Sequence, residues 1–340
     1  MCYMSTNRDS SIQLEEMRQV PFFIRFFRLF ENLSLLVVLL IVAFSTSLIE
    51  PRFLTVINLN NIVITTSIIA VAGFGMTFAI IMQGFDLSIG STQALTACIA
   101  ASLLVIVPMP VAILGALLVG LLIGIVNGVI IGKLNVPPFV ATLGMRGIVR
   151  GMALIYTKGQ SVMIIGHNEY ALLNAGKVIG IPIPLIIALG AFVMSYVLLS
   201  HTPFGRHVCA VGGNKMAAIS AGLKINVITI AVFGLVSLMA ALSGVMLSSQ
   251  LMIVDGTISA GLELKAIAIS VLGGTKLSGG SGNLSGTLIA AFLLAVIDGA
   301  LNILKISAFY QYLALGALLI FALVLDTLRR RLIARTLKEA

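Results

Sequence analysis

The sequence predicts an all-α polytopic membrane protein, with about ten transmembrane helices in two weakly similar halves. Three observations carry this. Hydrophobic residues make up 59% and charged residues 10% of the 340, against about 45–50% and about 25% in ordinary soluble domains. Mean hydropathy is +1.13. Uncharged runs of bilayer length recur along the chain, separated by prolines, glycines and charges. A chain this apolar has neither the polar surface of a soluble domain nor the composition of a disordered one.

Residues 33–49 are 17 uncharged residues, just enough for one crossing. Residues 53–85 are too long for a single perpendicular span. Asn58, Asn60 and Asn61 near its start predict an interfacial beginning and one tilted helix. Residues 87–132 hold two helices. They divide at Pro108-Met109-Pro110, because proline lacks a backbone N–H and sits at least cost in a watery loop. Pro137-Pro138 precedes a fifth helix at 139–156, which carries Arg146 and Arg150. Residues 158–184 are the longest polar interval, and 185–200 a sixth helix. The basic loop 201–224 leads to a seventh helix at 225–254. Leu262–Leu272 is a short eighth, followed by the Gly/Ser-rich loop 273–284. Helices nine and ten are expected at 286–304 and 309–325.

Ten spans put both termini on one side. With the termini cytoplasmic, fourteen of the 21 lysines and arginines fall inside and four outside, while Arg146, Arg150 and Lys265 lie in helices. That bias supports cytoplasmic termini. The chain then divides into a cytoplasmic N-terminal segment, 1–32, a transmembrane domain, 33–326, and a cytoplasmic basic tail, 327–340. The net charge of +9 reads as topology beside anionic lipid, with no nucleic-acid partner. The first 32 residues mix Arg8, Arg18, Arg25 and Arg28 with Asp9, Glu15, Glu16 and Glu31, unlike a signal peptide. Cys2, Cys98 and Cys209 have no metal-ligand spacing and predict no disulfide framework.

No catalytic constellation is present, and no metal site is expected. His167, His201 and His207 accompany no evident nucleophile. No G-x-x-x-x-G-K-[ST] occurs, and Gly279-Gly280-Ser281-Gly282 lacks the following Lys-Ser/Thr. The chain is therefore expected to be no enzyme and to bind no cofactor. ATP, if used, needs a second polypeptide.

The loop 201–224 carries the clearest functional pattern. Gly212-Gly213 permits a sharp turn, Asn214 is a good N-cap, and a short helix of small residues over 215–221 ends at Gly222 as C-cap. A short exposed helix between glycine hinges suits a partner's groove; an ordinary surface turn is the plainer reading. There is also an internal echo. Residues 84–91 (GFDLSIGS) resemble 274–281 (GTKLSGGS), and 125–128 (IVNG) resemble 296–299 (VIDG).

Together these motifs resemble the ribose-type permeases, the membrane subunits of bacterial ATP-binding-cassette importers for simple sugars. Residues 84–91 are similar to that family's G-I-D-L-S-V-G-S, with Asp86, Ser88 and Gly90 in place. Residues 273–282, with Gly273, Gly274, Gly279 and Gly280, resemble its second glycine-rich turn. Residues 261–268 resemble its G-x-E-L-x-A-I-A. The resemblance implies a homodimer or a paired permease in the bacterial inner membrane. It implies a cytoplasmic ATPase with fused nucleotide-binding domains, which would hold ATP and Mg. It also implies a periplasmic or lipid-anchored sugar-binding protein. By resemblance the ATPase-coupling loop is Gly205, Arg206, Gly212, Gly213, Asn214, Ala217, Ala218 and Gly222. Arg150 matches a family arginine, whereas Arg146 is extra. Asp255-Gly256-Thr257 replaces an Ala/Pro-rich stretch. A secondary, ion-coupled sugar transporter and a branched-chain amino-acid permease are the alternatives.

Polar groups inside the bilayer are costly and are functional candidates by default. Asp298 and Asn302 are four apart on one helical face, and Asn127 and Gln93 lie on other helices. Phe74, Phe78 and Met82 share a face and are candidates for a gate or for packed core. Phe74, Phe78, Asn127, Asp298 and Asn302 are the expected translocation path. For Asp298 the structural alternative is pairing with an arginine; for Asn127 it is a bond between helices. Asp86 is expected to cap the third helix at Ser88. Glu263 and Lys265 are expected on a solvated rim. Arg146 and Arg150, four apart, repel each other and should lie near the cytoplasmic end, face water or meet carboxylates.

Overall fold

A computed structural model describes residues 22–307, with side chains from Leu35 onward, and residues 309, 310, 313, 316, 317, 320 and 324 beyond them. Residues 1–21, most of the expected tenth helix and the tail 327–340 lie outside the described residues. The order is α1 (Phe22–Ile49), a 3-10 turn (Pro51–Leu54), α2 (Val56–Ile81), α3 (Ile89–Leu103), α4 (Met109–Gly132), α5 (Pro138–Thr157), β1 (Val162–Met163), α6 (Asn168–Ala175), β2 (Lys177–Val178) and β3 (Ile181–Pro182). There follow α7 (Ile183–His201), α8 (Pro203–Gly213), α9 (Lys215–Ser220), α10 (Ile225–Leu251), β4 (Ile253–Val254), α11 (Leu262–Leu272) and α12 (Leu284–Ile303).

Local sequence explains the boundaries. Prolines in the first turn start α4, α5, α7 and α8, where a missing N–H costs no helical bond. Thr55 caps α2, Asn214 caps α9 and Asn283 caps α12 through their side-chain oxygens. Six described helices are long and apolar enough to cross a membrane: α2, α4, α5, α7, α10 and α12. The strands are two-residue pairs, with Val162 opposite Val254 and Lys177 opposite Pro182. The protein is thus a polytopic, predominantly helical membrane protein.

α2 and α10 form the centre. Nearly every residue of α2 from Ile62 to Ile81 is buried, with Phe74, Met76 and Phe78 fully covered. α10 packs along α4 on a stripe of small residues. A Cβ at Gly120, Gly124 or Gly128 would overlap Ala241, the Phe233 carbonyl or the Ile230 backbone. Small residues spaced by four let helix backbones approach where lipid supplies no hydrophobic drive. By contrast, α4, α5 and α7 leave Leu118, Leu122, Ile148, Ile155, Val193 and Val197 exposed, as lipid-facing surfaces do.

Two expectations are corrected. The first helix begins eleven residues earlier, at Phe22. The glycines Gly212 and Gly213 do not make a turn; they end the eleven-residue helix α8, and the break comes at extended Asn214. The polar interval 158–184, to which the sequence assigned no element, is structured. It holds α6, whose Tyr170 is fully buried and bonds Ser248 on α10 at 2.6 Å.

Candidate functional site

One end of the molecule is built from α8, α9, the 82–88 turn and the loop 273–283. Asn214 Oδ1 accepts from Ala217 N at 3.0 Å, and Gly222 closes the short helix at φ +78. Gly213, Asn214, Lys215, Ala217 and Arg206 are exposed, whereas Gly205, Gly212 and Ala218 face inward. The inward glycines are steric requirements: a Cβ at Gly205 would overlap the Leu199 carbonyl, and one at Gly212 the Ile81 carbonyl. Met216 and Ile219, 71% and 50% exposed, project from α9. Sequence reasoning passed over both. Large apolar side chains on a lysine-bearing helix outside the spans were the available signal.

Beside this end the 84–91 motif forms a buried polar turn. Asp86 Oδ1 accepts from Ser88 N at 2.8 Å and from the Ser88 hydroxyl, and Asn127 Nδ2 donates to Ser88 Oγ at 3.0 Å. All three side chains are inaccessible. Asp86 acts at the start of α3, as its position predicts. The second glycine-rich motif lies against the first: Gly280 N donates to Ile81 O at 2.8 Å, and Gln83 Nε2 reaches Ser278 O at 2.7 Å. The α11–α12 junction is equally tight. A Cβ at Gly273 would overlap Thr287, and Gly274 has φ +90.

Two ion pairs join charges of the spanning helices. Arg146 meets Glu263 at 2.9 Å, and Lys265 meets Asp298 at 2.6 Å. Glu263 and Lys265 therefore do not form a solvated rim. Glu263 is 2% exposed, because α11 starts against α3 and α5; a Cβ at Gly90 would sit 2.5 Å from its Oε2. The expected pairing of Asp298 occurs, with a lysine instead of an arginine. Among the described residues Arg150 meets no carboxylate directly. It donates to the Gly256 and Ile258 carbonyls at 2.6 and 2.8 Å, holding the segment after β4 in place. In that segment hydrogen bonds from the Thr257 hydroxyl and backbone hold the Asp255 carboxyl below the usual carboxylate range.

Between α2, α3, α10 and α11 lies a crevice of about 190 Å³. Thr65, Gln93, Gln250, Ser259 and Lys265 give it polar groups, and Ile68, Ile69, Leu247 and Leu262 an apolar wall. Gln93 Nε2 donates to Ser243 Oγ, which donates to Ile68 O. Ser259, at φ +64, has a buried hydroxyl with no partner among the described residues. Of the expected path residues, Asp298 reaches this crevice through Lys265. Asn302 is exposed near the end of α12. Phe74 and Phe78 are fully buried, against Phe192 at 5.7 Å and Phe204 at 6.2 Å. Asn127 lies at the opposite motif turn. Thr65, Gln250 and Ser259 were not singled out from sequence, where nothing distinguishes them from other small polar residues in helices and turns.

Bilayer-length helices that enclose a polar crevice beside paired charges make up a membrane transport subunit. The chain belongs to the family described as branched-chain amino acid transport system permease components, whose model matches residues 58–323. It is 40% identical over 290 residues to the ribose import permease protein of Bacillus subtilis, covering 85% of this chain and 90% of the relative. It is 39% identical over 303 residues to the Escherichia coli K12 ribose import permease protein, covering 88% and 94%. The L-arabinose ABC transporter permease protein of Azospirillum brasilense is 36% identical over 301 residues, or 88% of each chain. No solved structure matches the chain.

Proposed function

We propose that this chain is the permease subunit of an ATP-binding-cassette importer that moves a monosaccharide-type solute across the bacterial inner membrane. The observation that carries this is near-full-length similarity to ribose and arabinose permeases. The crevice supports it. At about 190 Å³ it is smaller than the roughly 300–1,000 Å³ of drug-sized pockets. Its neutral amides and hydroxyls, beside a charge-compensated lysine, suit an uncharged polyol. The family description names branched-chain amino acids, but the crevice offers no free ion pair for an ammonium and a carboxylate together.

In this reading ten spans place both termini in the cytoplasm, with α9 facing a partner ATPase that binds ATP and Mg. Residues 33–326 are the membrane domain. Residues Gly205, Arg206, Gly212, Gly213, Asn214, Ala217, Ala218 and Gly222 form the coupling element. A second permease subunit, identical or paired, and an external sugar-binding protein complete the importer. α11, 11 residues long and about 16 Å, serves as the eighth crossing because the preceding segment enters to the depth of Arg150. The Lys265–Asp298 pair marks the path. Asn127, Phe74 and Phe78 support it as packed structure.

The test is uptake of D-ribose, L-arabinose and D-allose by vesicles carrying this chain. Uptake should require the ATPase, the binding protein and ATP together. Uptake by this chain alone, driven by a proton or sodium gradient, would replace this reading with secondary transport.

A further inference from the structure

Gln83 is the first residue beyond the cap of α2, and its backbone is left-handed, at φ +60. Its amide has two N–H donors. Both are used, and on different elements: Nε2 donates to Gly212 O in the last turn of α8 at 2.8 Å and to Ser278 O in the α11–α12 loop at 2.7 Å. Around it the three segments meet backbone to backbone. Gly280 N donates to Ile81 O at 2.8 Å. A Cβ at Gly279 would lie 2.5 Å from Gln83 Cγ and 2.6 Å from Gly212 O. Gly279 and Gly280 hold φ +77 and +78. Because both acceptors are main-chain carbonyls, the side chain fixes segment positions whatever side chains those segments carry.

The segments lead to opposite ends of the molecule. α8 continues into α9 through Asn214. α2 runs from Ile81 through the core to Thr65, Ile68 and Ile69 in the crevice, and α11 reaches the same crevice with Leu262 and Lys265. Gln83 is itself exposed, so the core does not depend on its bulk. We infer that Gln83 is the positioning residue that transmits movement of α8–α9 to α2 and α11, and so sets how much ATP is hydrolysed per solute moved. This rests on the importer reading. A contiguous set of bonds between rigid elements is the physical means of such coupling.

The experiment reconstitutes the complete importer and measures hydrolysis and uptake in the same vesicles, using whichever of D-ribose, L-arabinose and D-allose the wild type carries. Gln83→Glu keeps the shape but has no donor when ionised. Gln83→Asn tolerates left-handed backbone but is one methylene too short. In both, ATPase should still co-purify and basal hydrolysis stay within about twofold, while uptake falls about tenfold or more, the scale of two lost hydrogen bonds. Gln83→Lys should recover part of the uptake, because its ammonium donates to the same carbonyls. An unchanged ratio of ATP to solute, or hydrolysis and uptake falling together, overturns the inference. Loss of the ATPase from the membrane does so too. A wild type without ATP-dependent uptake fails the importer reading, and the inference with it.

Discussion

Glu263 and Arg146 show how burial makes the two halves of an ion pair unequal. The Glu263 side chain is 3% exposed and that of Arg146 43%. Removing the arginine strands a carboxylate in the interior, whereas neutralising the carboxylate leaves the guanidinium on a partly exposed face of α5 with a polar neighbour still beside it. Arg146→Met should therefore destabilise the fold by about 3 kcal/mol, the low end for an uncompensated buried charge. Glu263→Gln should cost less, about 1 kcal/mol, because the amide oxygen still accepts a hydrogen bond from the guanidinium. Thermal melting of the detergent-solubilised protein would show this order, and equal midpoints would remove the argument. The sequence contained both residues but not their meeting. They are 117 positions apart, and only the descent of the 252–261 segment toward α5 brings them together. Arg150 was legible as a residue that must be satisfied, not as a clamp on two carbonyls. Asp86 was readable throughout, because its partner lies two residues away.

At the scale of elements the same contrast holds. α2, α4, α5, α10, α11 and α12 begin and end within a few residues of their predicted positions, since apolar runs and prolines act locally. α8 was not legible. Gly212 and Gly213 read as turn residues, yet Gly212, like Gly205, is required by close approach, to Ile81 and Leu199 respectively, a tertiary constraint that overrides low helix propensity. This separates neighbours that look alike. Gly212→Ala should lower the melting temperature, whereas Gly213→Ala, whose Cβ would have only ordinary contact at 3.9 Å, should leave it unchanged. α9, six residues long, has too few turns to stand without its cap. Asn214→Ala should cost it about 1 kcal/mol and weaken ATPase co-purification. Met216→Glu and Ile219→Glu should abolish co-purification while melting stays that of wild type. Retention of the ATPase by both charged variants would move the docking surface elsewhere.

For the whole molecule, the charge distribution and the fold make one joint claim about sidedness. The fold gathers α8, α9, the 82–88 turn and the 273–283 loop at one end, and α6 with the β1–β4 pair at the other. The basic residues divide the same way, with Arg206, Lys215, Lys224 and Lys276 at the first end and Lys158 and Lys177 at the second. Lysine and arginine are retained in the cytoplasm as helices insert, so the α9 end should be inside. Lys177 and Lys215 are both exposed, and the α7 span lies between them. Cys98 and Cys209 are buried, so with Cys2 replaced by serine a new cysteine supplies the accessible thiol. Lys177→Cys should react with a membrane-impermeant thiol reagent in intact spheroplasts, and Lys215→Cys only after lysis. The reverse pattern would invert the topology and remove α9 from any cytoplasmic ATPase. Reaction of both from outside would mean that α7 does not cross, leaving a different number of spans on either side of the coupling element.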